Sequence, residues 1–460
     1  MSPQPGPNAP FSRIVHRTIV KQPPVAVRGE GMMLVLRNGR EILDASGGAA
    51  VACIGHGNRR VAAAVGAQAA SLTYVHSGFF TTEPAEALAD LLLGDEPGGL
   101  SHAFFVSSGS EAMESAIKLA RQYFLEVGEP QRTRFIARRQ SYHGNTLGAL
   151  AAGGNLARRR PYEPMLAGAF SHVSPCFSYH YRHDGERDSQ YTARLCAELE
   201  HEFQRLGPRN VAAFCAEPVV GATAGCVTAV PGYFESIRKV CDRHGALLIL
   251  DEVMCGMGRT GTTHAWQQEG ITPDIQAIGK GLGGGYAPIG GILVSRRIIN
   301  ALANGSGSFI HGHTYQAHPL ACAAALEVQR IIQDEELLPR VRSMGALLEQ
   351  RLRERFVSHA NIGDIRGRGL FFALELVEDR AQRRPFAPSL QFHERIKHHA
   401  LARGLAVYPS GGTIDGAGGD HVIVAPAYIC QPTDIDLIVD RLDDAIAGAL
   451  RDAHAVMRAT

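Results

Sequence analysis

From about residue 60 to residue 294, short apolar runs alternate with segments of helical periodicity. Helices are expected at 62–72, 83–93 and 111–124, and strands at 103–106, 134–137, 211–216, 246–250, 275–278 and 290–294. Strands that are apolar at nearly every position need cover on both faces. The pattern therefore predicts an α/β fold with a mostly parallel sheet under helices on both sides. Ligands of such sheets sit beyond the carboxyl ends of the strands. Past this unit, 319–333 reads as a long helix leaving it. The remainder mixes amphipathic helices (338–356, 390–403, 434–451) with strands near 370–376 and 422–425. The expected organisation is a large domain over 61–325, a smaller α/β domain over 326–460, and an N-terminal segment, 1–60, that joins the small one. Within that segment Asn38-Gly39 lies between two apolar runs, a strong hairpin signal. The proline-rich start, 1–10, is expected to be a loose tail or an arm laid on a partner subunit.

Composition narrows the partners. Lys plus Arg number 46 and Asp plus Glu 45, so no net field draws nucleic acid or an anionic membrane. The short run Arg158-Arg159-Arg160 reads as a solvated helix end or loop. Nine cysteines, an odd count with no CxxC pair, argue against a disulfide framework and a zinc site, and a reducing cytoplasm is the simplest compartment. No secretory signal is visible, and no stretch approaches the roughly 18 apolar residues of a membrane span.

Chemistry gathers at the predicted strand ends. Lys280 stands between glycines after 275–278, and Asp251 follows 246–250. A lysine amine can form a Schiff base with pyridoxal phosphate, and a carboxylate can partner its pyridinium nitrogen. Taken alone, the lysine is a solvated charge and the aspartate a helix cap; the glycine-dense stretch 279–291 argues instead for close backbone approach. Ser108-Gly109-Ser110 opens a helix after a strand and suits a phosphate dianion, although a plain serine N-cap reads the same way. Tyr142, followed by His143, could stack on a flat ring or pack in a loop. Glu217 could steer a substrate group or hold a water, or simply start a Glu-Pro turn. Val253 would share the direction of Asp251 if the strand continued, and could pack on a ring face. Thr314, near a helix start, is a plausible second phosphate donor. The histidines 311, 313 and 318 lack nearby carboxylate ligands, so no metal is assigned to them.

These residues, in this order, resemble the class III pyridoxal-phosphate aminotransferases, most nearly the ω-amino acid:pyruvate and amine transaminase branch. The likeness runs from about residue 30 to 445. It is most specific at the segment 250–261, at Pro273-Asp274, around Lys280, at Gly312-His313-Thr314-Tyr315 and at His318-Pro319. The resemblance implies fold type I with a large and a small domain. It implies that Lys280 carries the cofactor, Asp251 binds the ring nitrogen, Ser108, Gly109 and Ser110 cradle the phosphate, and Tyr142 stacks on the ring. It further implies that Thr314 reaches the phosphate of the neighbouring subunit, in a homodimer with shared sites; tetramers also occur. Small-molecule amine and keto-acid substrates follow, in a ping-pong transamination. Other enzymes of this fold (aminomutase, racemase, decarboxylase) are the alternative. A dehydrogenase is disfavoured, because the lysine precedes the glycines 281–285 and no acid follows about 20 residues on. A binding protein without catalysis is disfavoured by Lys280 and Asp251 together.

One departure stands out. Family members acting on α-amino acids often carry an arginine near the stretch 419–426, yet no Arg or Lys occurs between Arg403 and Arg441. Either Arg366 or His421 substitutes, or the donor is a simple amine. Phe79 and Phe80 are expected at the substrate wall.

Overall fold

The computed structural model describes residues 12–20 and 22–459. The expected arm at 1–10 lies outside the described residues. Strands β1 (Ala26–Glu30), β2 (Met33–Leu36) and β3 (Glu41–Asp44) form an antiparallel meander, turning at Asn38-Gly39. Gly39 has φ +82°, a left-handed conformation that glycine adopts without cost.

Next come β4 (Leu100–Val106), β5 (Arg134–Arg138), β6 (Phe170–Val173) and β7 (Val211–Ala216). A small pair follows, β8 (Val219–Val220) and β9 (Val227–Thr228). Then come β10 (Leu247–Asp251), β11 (Ile275–Gly279) and β12 (Gly290–Ser295). Seven of these make one sheet in the order β4-β12-β11-β10-β7-β5-β6. Only β12 runs antiparallel to its neighbours, so the mostly parallel α/β sheet is the one expected.

The side chains of β10 explain the layering. Leu248 and Leu250 pack with Tyr191, Leu195, Phe234 and Ile237 from the helices Asp188–Leu206 and Tyr233–His244. Leu247 and Ile249 pack on the opposite face, with Ala112, Met113 and Ala116 of the helix Gly109–Glu126. Alternate residues thus serve two cores, and all five positions are buried.

The C-terminal part holds β13 (Ile362–Gly367), β14 (Phe372–Leu376), β15 (Leu405–Ala406), β16 (Tyr408–Gly411) and β17 (Asp420–Val424). An antiparallel sheet runs β13-β14-β17-β16, while β15 pairs in parallel with β3 and ties the N-terminal meander to this region. The helix expected at 390–403 begins at Phe392, because Pro388–Leu390 forms a 3-10 turn and Gln391 adopts φ +45°. β6 and β13 escaped the apolar criterion: their sequences, FSHV and IGDIRG, are too polar to read as strands. Among the described residues no helix is long and apolar enough to cross a membrane.

Candidate active site

The carboxyl ends of β4, β5, β7, β10 and β11 open on one cavity of about 450 Å³. Because β12 is antiparallel, it presents the chain that enters it, residues 285–289, to the same cavity. Ser108, Gly109, Ser110, Tyr142, His143, Glu217, Asp251, Val253 and Lys280 all line it. Strand order alone brings together residues spread over more than 170 positions of sequence.

Asp251 is 5% exposed and held at both oxygens. His143 Nδ1 lies 2.9 Å from Oδ2, and the Val253 N–H donates to Oδ1 at 3.0 Å. That second bond corrects the expected route of Val253. The strand stops at Asp251, and Val253 reaches the cavity through a turn capped by the aspartate itself. His143 is buried, and its Nε2 has no protein partner.

Lys280 follows β11 directly, with φ +46°. That left-handed backbone is uncommon for a side-chain-bearing residue and costs about 1 kcal/mol. Burial pushes the lysine amine below its ordinary pKa, against the opposing pull of Asp251 and Glu217. Glu217 is 4% exposed; its Oε1 accepts the Tyr142 N–H and its Oε2 the Gly221 N–H, both at 3.0 Å. Burial raises its pKa, His143 opposing and Asp251 adding to the rise.

The helix Gly109–Glu126 points its start at the cavity. Ser108 Oγ accepts the Glu111 N–H at 3.2 Å, and Ser110 Oγ accepts the Asn145 N–H at 3.0 Å. The first N–H groups of such a helix have no intrahelical acceptor and suit an anion. The backbone is tightly packed here. A Cβ on Gly109 would lie 2.7 Å from Val253 Cγ1, and one on Gly290 2.5 Å from the Ser108 carbonyl oxygen.

Thr314 stands apart. It is exposed on the surface of this chain, where its carbonyl accepts from the Tyr74 hydroxyl at 3.0 Å. Phe79 and Phe80 do not line the cavity either and are 79% and 65% exposed. His311 is bound to Ser115 Oγ at 3.0 Å and to Lys118 Nζ at 2.8 Å.

Neither candidate for the missing arginine is available. Arg366 is buried; it donates to the Gly225 carbonyl at 2.7 Å, pairs with Glu375 at 2.6 Å, and lies over the Phe177 ring. His421 is fully buried against Thr413 Oγ1 at 2.7 Å, and burial pushes its pKa down to about 3. Both pack against the turn at Ala224-Gly225 between β8 and β9.

Sequence reading missed Val51, Ala222, Met254 and the stretch 286–289 of the lining. The glycines before Tyr286 hinted at close approach. Tyr286 itself accepts the Asn58 N–H at 2.8 Å and donates to the Gly55 carbonyl at 3.0 Å, contacts with no local signature. Val51 arrives from the N-terminal segment by tertiary packing alone.

A family model for class-III aminotransferases matches residues 15–446. An uncharacterised aminotransferase of Schizosaccharomyces pombe is 51% identical over 93% of this chain and 94% of its own length. A putrescine–pyruvate aminotransferase of Pseudomonas aeruginosa is 32% identical over 90% and 88%. An amine transaminase from an uncultivated Pseudomonas species, solved in its PLP-bound (internal aldimine) form, superposes with a TM-score of 0.88 at 33% identity. That superposition covers 97% of this chain and 99% of the other. The chain belongs to the class-III aminotransferase family, with the type I fold of pyridoxal-phosphate enzymes. It is an aminotransferase, and its structural relatives are amine and ω-transaminases. The cavity fits the cofactor of that family: an amine, a buried carboxylate for a ring nitrogen, a helix start for a phosphate, and the unpartnered His143 Nε2.

Proposed function

We propose that this chain is a pyridoxal-phosphate-dependent transaminase that moves an amino group from an amine or ω-amino acid to a keto acid such as pyruvate. The observation that carries this reading is the meeting of Lys280, the His143-backed Asp251 and the Gly109 helix start in one cavity. Lys280 would attach the cofactor, Asp251 would face the ring nitrogen, and Ser108, Gly109 and Ser110 would hold the phosphate. Tyr142 and Val253 would bracket the ring. Pyridoxal phosphate, when bound, supplies an aldehyde and an electron-accepting ring that store the amino group between two half-reactions.

The chain's own groups do the rest. The Lys280 amine, its pKa lowered by burial, takes a proton from the substrate carbon and returns it on the other side of the exchange. His143 keeps Asp251 aimed, and Glu217 fixes Tyr142 through its backbone N–H. The lining is largely apolar beyond these groups, which suits an amine donor. The putrescine–pyruvate relative supports that donor class and acceptor.

The reading includes a homodimer, or a tetramer built from it. Phe79, Phe80, Ile310 and Tyr315 are 79%, 65%, 73% and 59% exposed, large apolar side chains that a second copy would cover. Thr314 would then serve the partner's phosphate site. It also includes the division into 1–60, 61–325 and 326–460, and a cytoplasmic setting, which the nine free cysteines support.

The test is a visible absorption spectrum of the purified protein with pyridoxal phosphate. A yellow band should bleach with a donor amine in the absence of acceptor, then return on adding pyruvate. A protein that stays colourless, or a band indifferent to every amine, would overturn the reading.

A further inference from the structure

The cavity has a lysine for chemistry but no arginine in its lining, so a carboxylate entering it has no obvious cation. The loop 411–419 carries no arginine or lysine. That loop is nevertheless docked beside the site. Gln140 Nε2 donates to the Gly412 and Thr413 carbonyls at 3.3 and 3.1 Å, and a Cβ on Gly416 would lie 2.9 Å from Leu156 Cβ. The short helix Leu156–Arg159 therefore lies against that loop.

Arg158, on this helix, places its guanidinium carbon 5.0 Å from the centroid of Tyr142, whose ring lines the cavity. Among the described residues its guanidinium has no carboxylate or carbonyl partner. Two neighbouring arginines are engaged elsewhere. Arg138 donates to the Glu217 carbonyl, and Arg159 to the Ala151 and Gly153 carbonyls at 3.1 and 2.7 Å. Arg160 is exposed, and Arg366 is held by the Ala224 and Gly225 carbonyls and by Glu375. The run 158–160 is thus no uniform solvated edge.

We infer that Arg158 is the residue that recognises the carboxylate of the keto-acid acceptor, from a resting place on the Tyr142 ring. This rests on the transaminase reading and deepens it. A guanidinium stacked on an aromatic face keeps its in-plane N–H fork free, and that fork matches a carboxylate in bidentate geometry. Its long stem allows it to move aside when a neutral amine occupies the same space.

The test uses the cofactor-loaded enzyme and the variants Arg158→Met and Arg158→Lys. Met keeps length and packing without charge; Lys keeps charge without the fork. The ratio of kcat/KM for pyruvate to that for propanal should fall roughly 10- to 100-fold in Arg158→Met, the scale of one charged hydrogen-bonded contact. Arg158→Lys should recover part of it. Propanoate binding, measured by calorimetry against propanamide, should weaken by a similar factor in Arg158→Met. A parallel fall for pyruvate and propanal would mean that Arg158 only packs on Tyr142, and the inference fails. A fall confined to β-alanine against propylamine as donor would overturn the acceptor assignment. If the wild-type protein transfers no amino group to either acceptor, the transaminase reading fails, and the propanoate titration still decides Arg158.

Discussion

Asp251 is aimed before any ligand arrives, because both its oxygens are already bound, one by His143 and one by the Val253 N–H. Removing that support should act through the aspartate. His143→Ala is expected to lower kcat about 10- to 100-fold, the range of one lost charged hydrogen bond, with cofactor still retained. Lys280→Ala should bind cofactor yet lose turnover by about 1000-fold or more, since both its attachment and its proton transfer go. Steady-state kinetics beside a cofactor titration separates these two variants. Arg366 poses a different expectation. It is buried and paired with Glu375, so Arg366→Met leaves that buried carboxylate with His180 as its one side-chain partner and should cost about 3 kcal/mol of stability. A denaturant melt measures that cost, and the pyruvate-to-propanal preference should not follow it as it follows Arg158. At this scale Lys280 and Asp251 were legible, because strand ends and flanking glycines are local features. The fates of Arg366 and His421 were not, since both pack against Gly225, more than 140 positions away.

The strands and helices show where local pattern suffices. β7 and the helix Glu83–Leu93 carry the predicted bounds, because apolar periodicity there coincides with burial. β6 and β13 hide behind polar residues, and β13 needs its Arg366 for a partner on β14 rather than for solvent. Packing between elements also sets the cavity wall. Gly290 of β12 sits opposite Val106 of β4, and a methyl group there would press within 2.5 Å of the Ser108 carbonyl oxygen. Gly290→Ala should therefore displace the turn before the Gly109 helix. The expected result is a loss of cofactor affinity of about tenfold or more and a destabilisation of about 1–3 kcal/mol. Gly168→Ala is the control: a Cβ there meets open space, and stability should stay within about 0.5 kcal/mol. A spectroscopic cofactor titration and thermal melts check both.

For the whole molecule, the exposed Phe79, Phe80, Ile310 and Tyr315 predict that the chain runs as a dimer or larger in light scattering. Phe79→Glu with Phe80→Glu should shift it toward the monomer and reduce activity together. Stability should also depend on pH in a defined direction. Burial holds His172 and His264 at about 4 and His421 at about 3, all below the ordinary histidine value. As pH falls below about 6.5, the unfolded chain takes protons that the folded chain refuses until about pH 4. The unfolded state then binds more protons, so this stability is full above 6.5 and is lost on acidification. Melting temperatures between pH 7.5 and 4.5 test it, and His172→Gln should flatten the slope. Legible along the chain were the alternating α/β pattern, the residues placed at the strand ends and the lack of an Arg or Lys between Arg403 and Arg441. All of these follow from residue type and short-range spacing. The strand order that joins those ends in one cavity, the burial of Arg366 and His421, and the placing of Arg158 on Tyr142 came from the packed fold. Those outcomes depend on which distant surfaces fill each other's space, and such complementarity leaves no periodic trace along a chain.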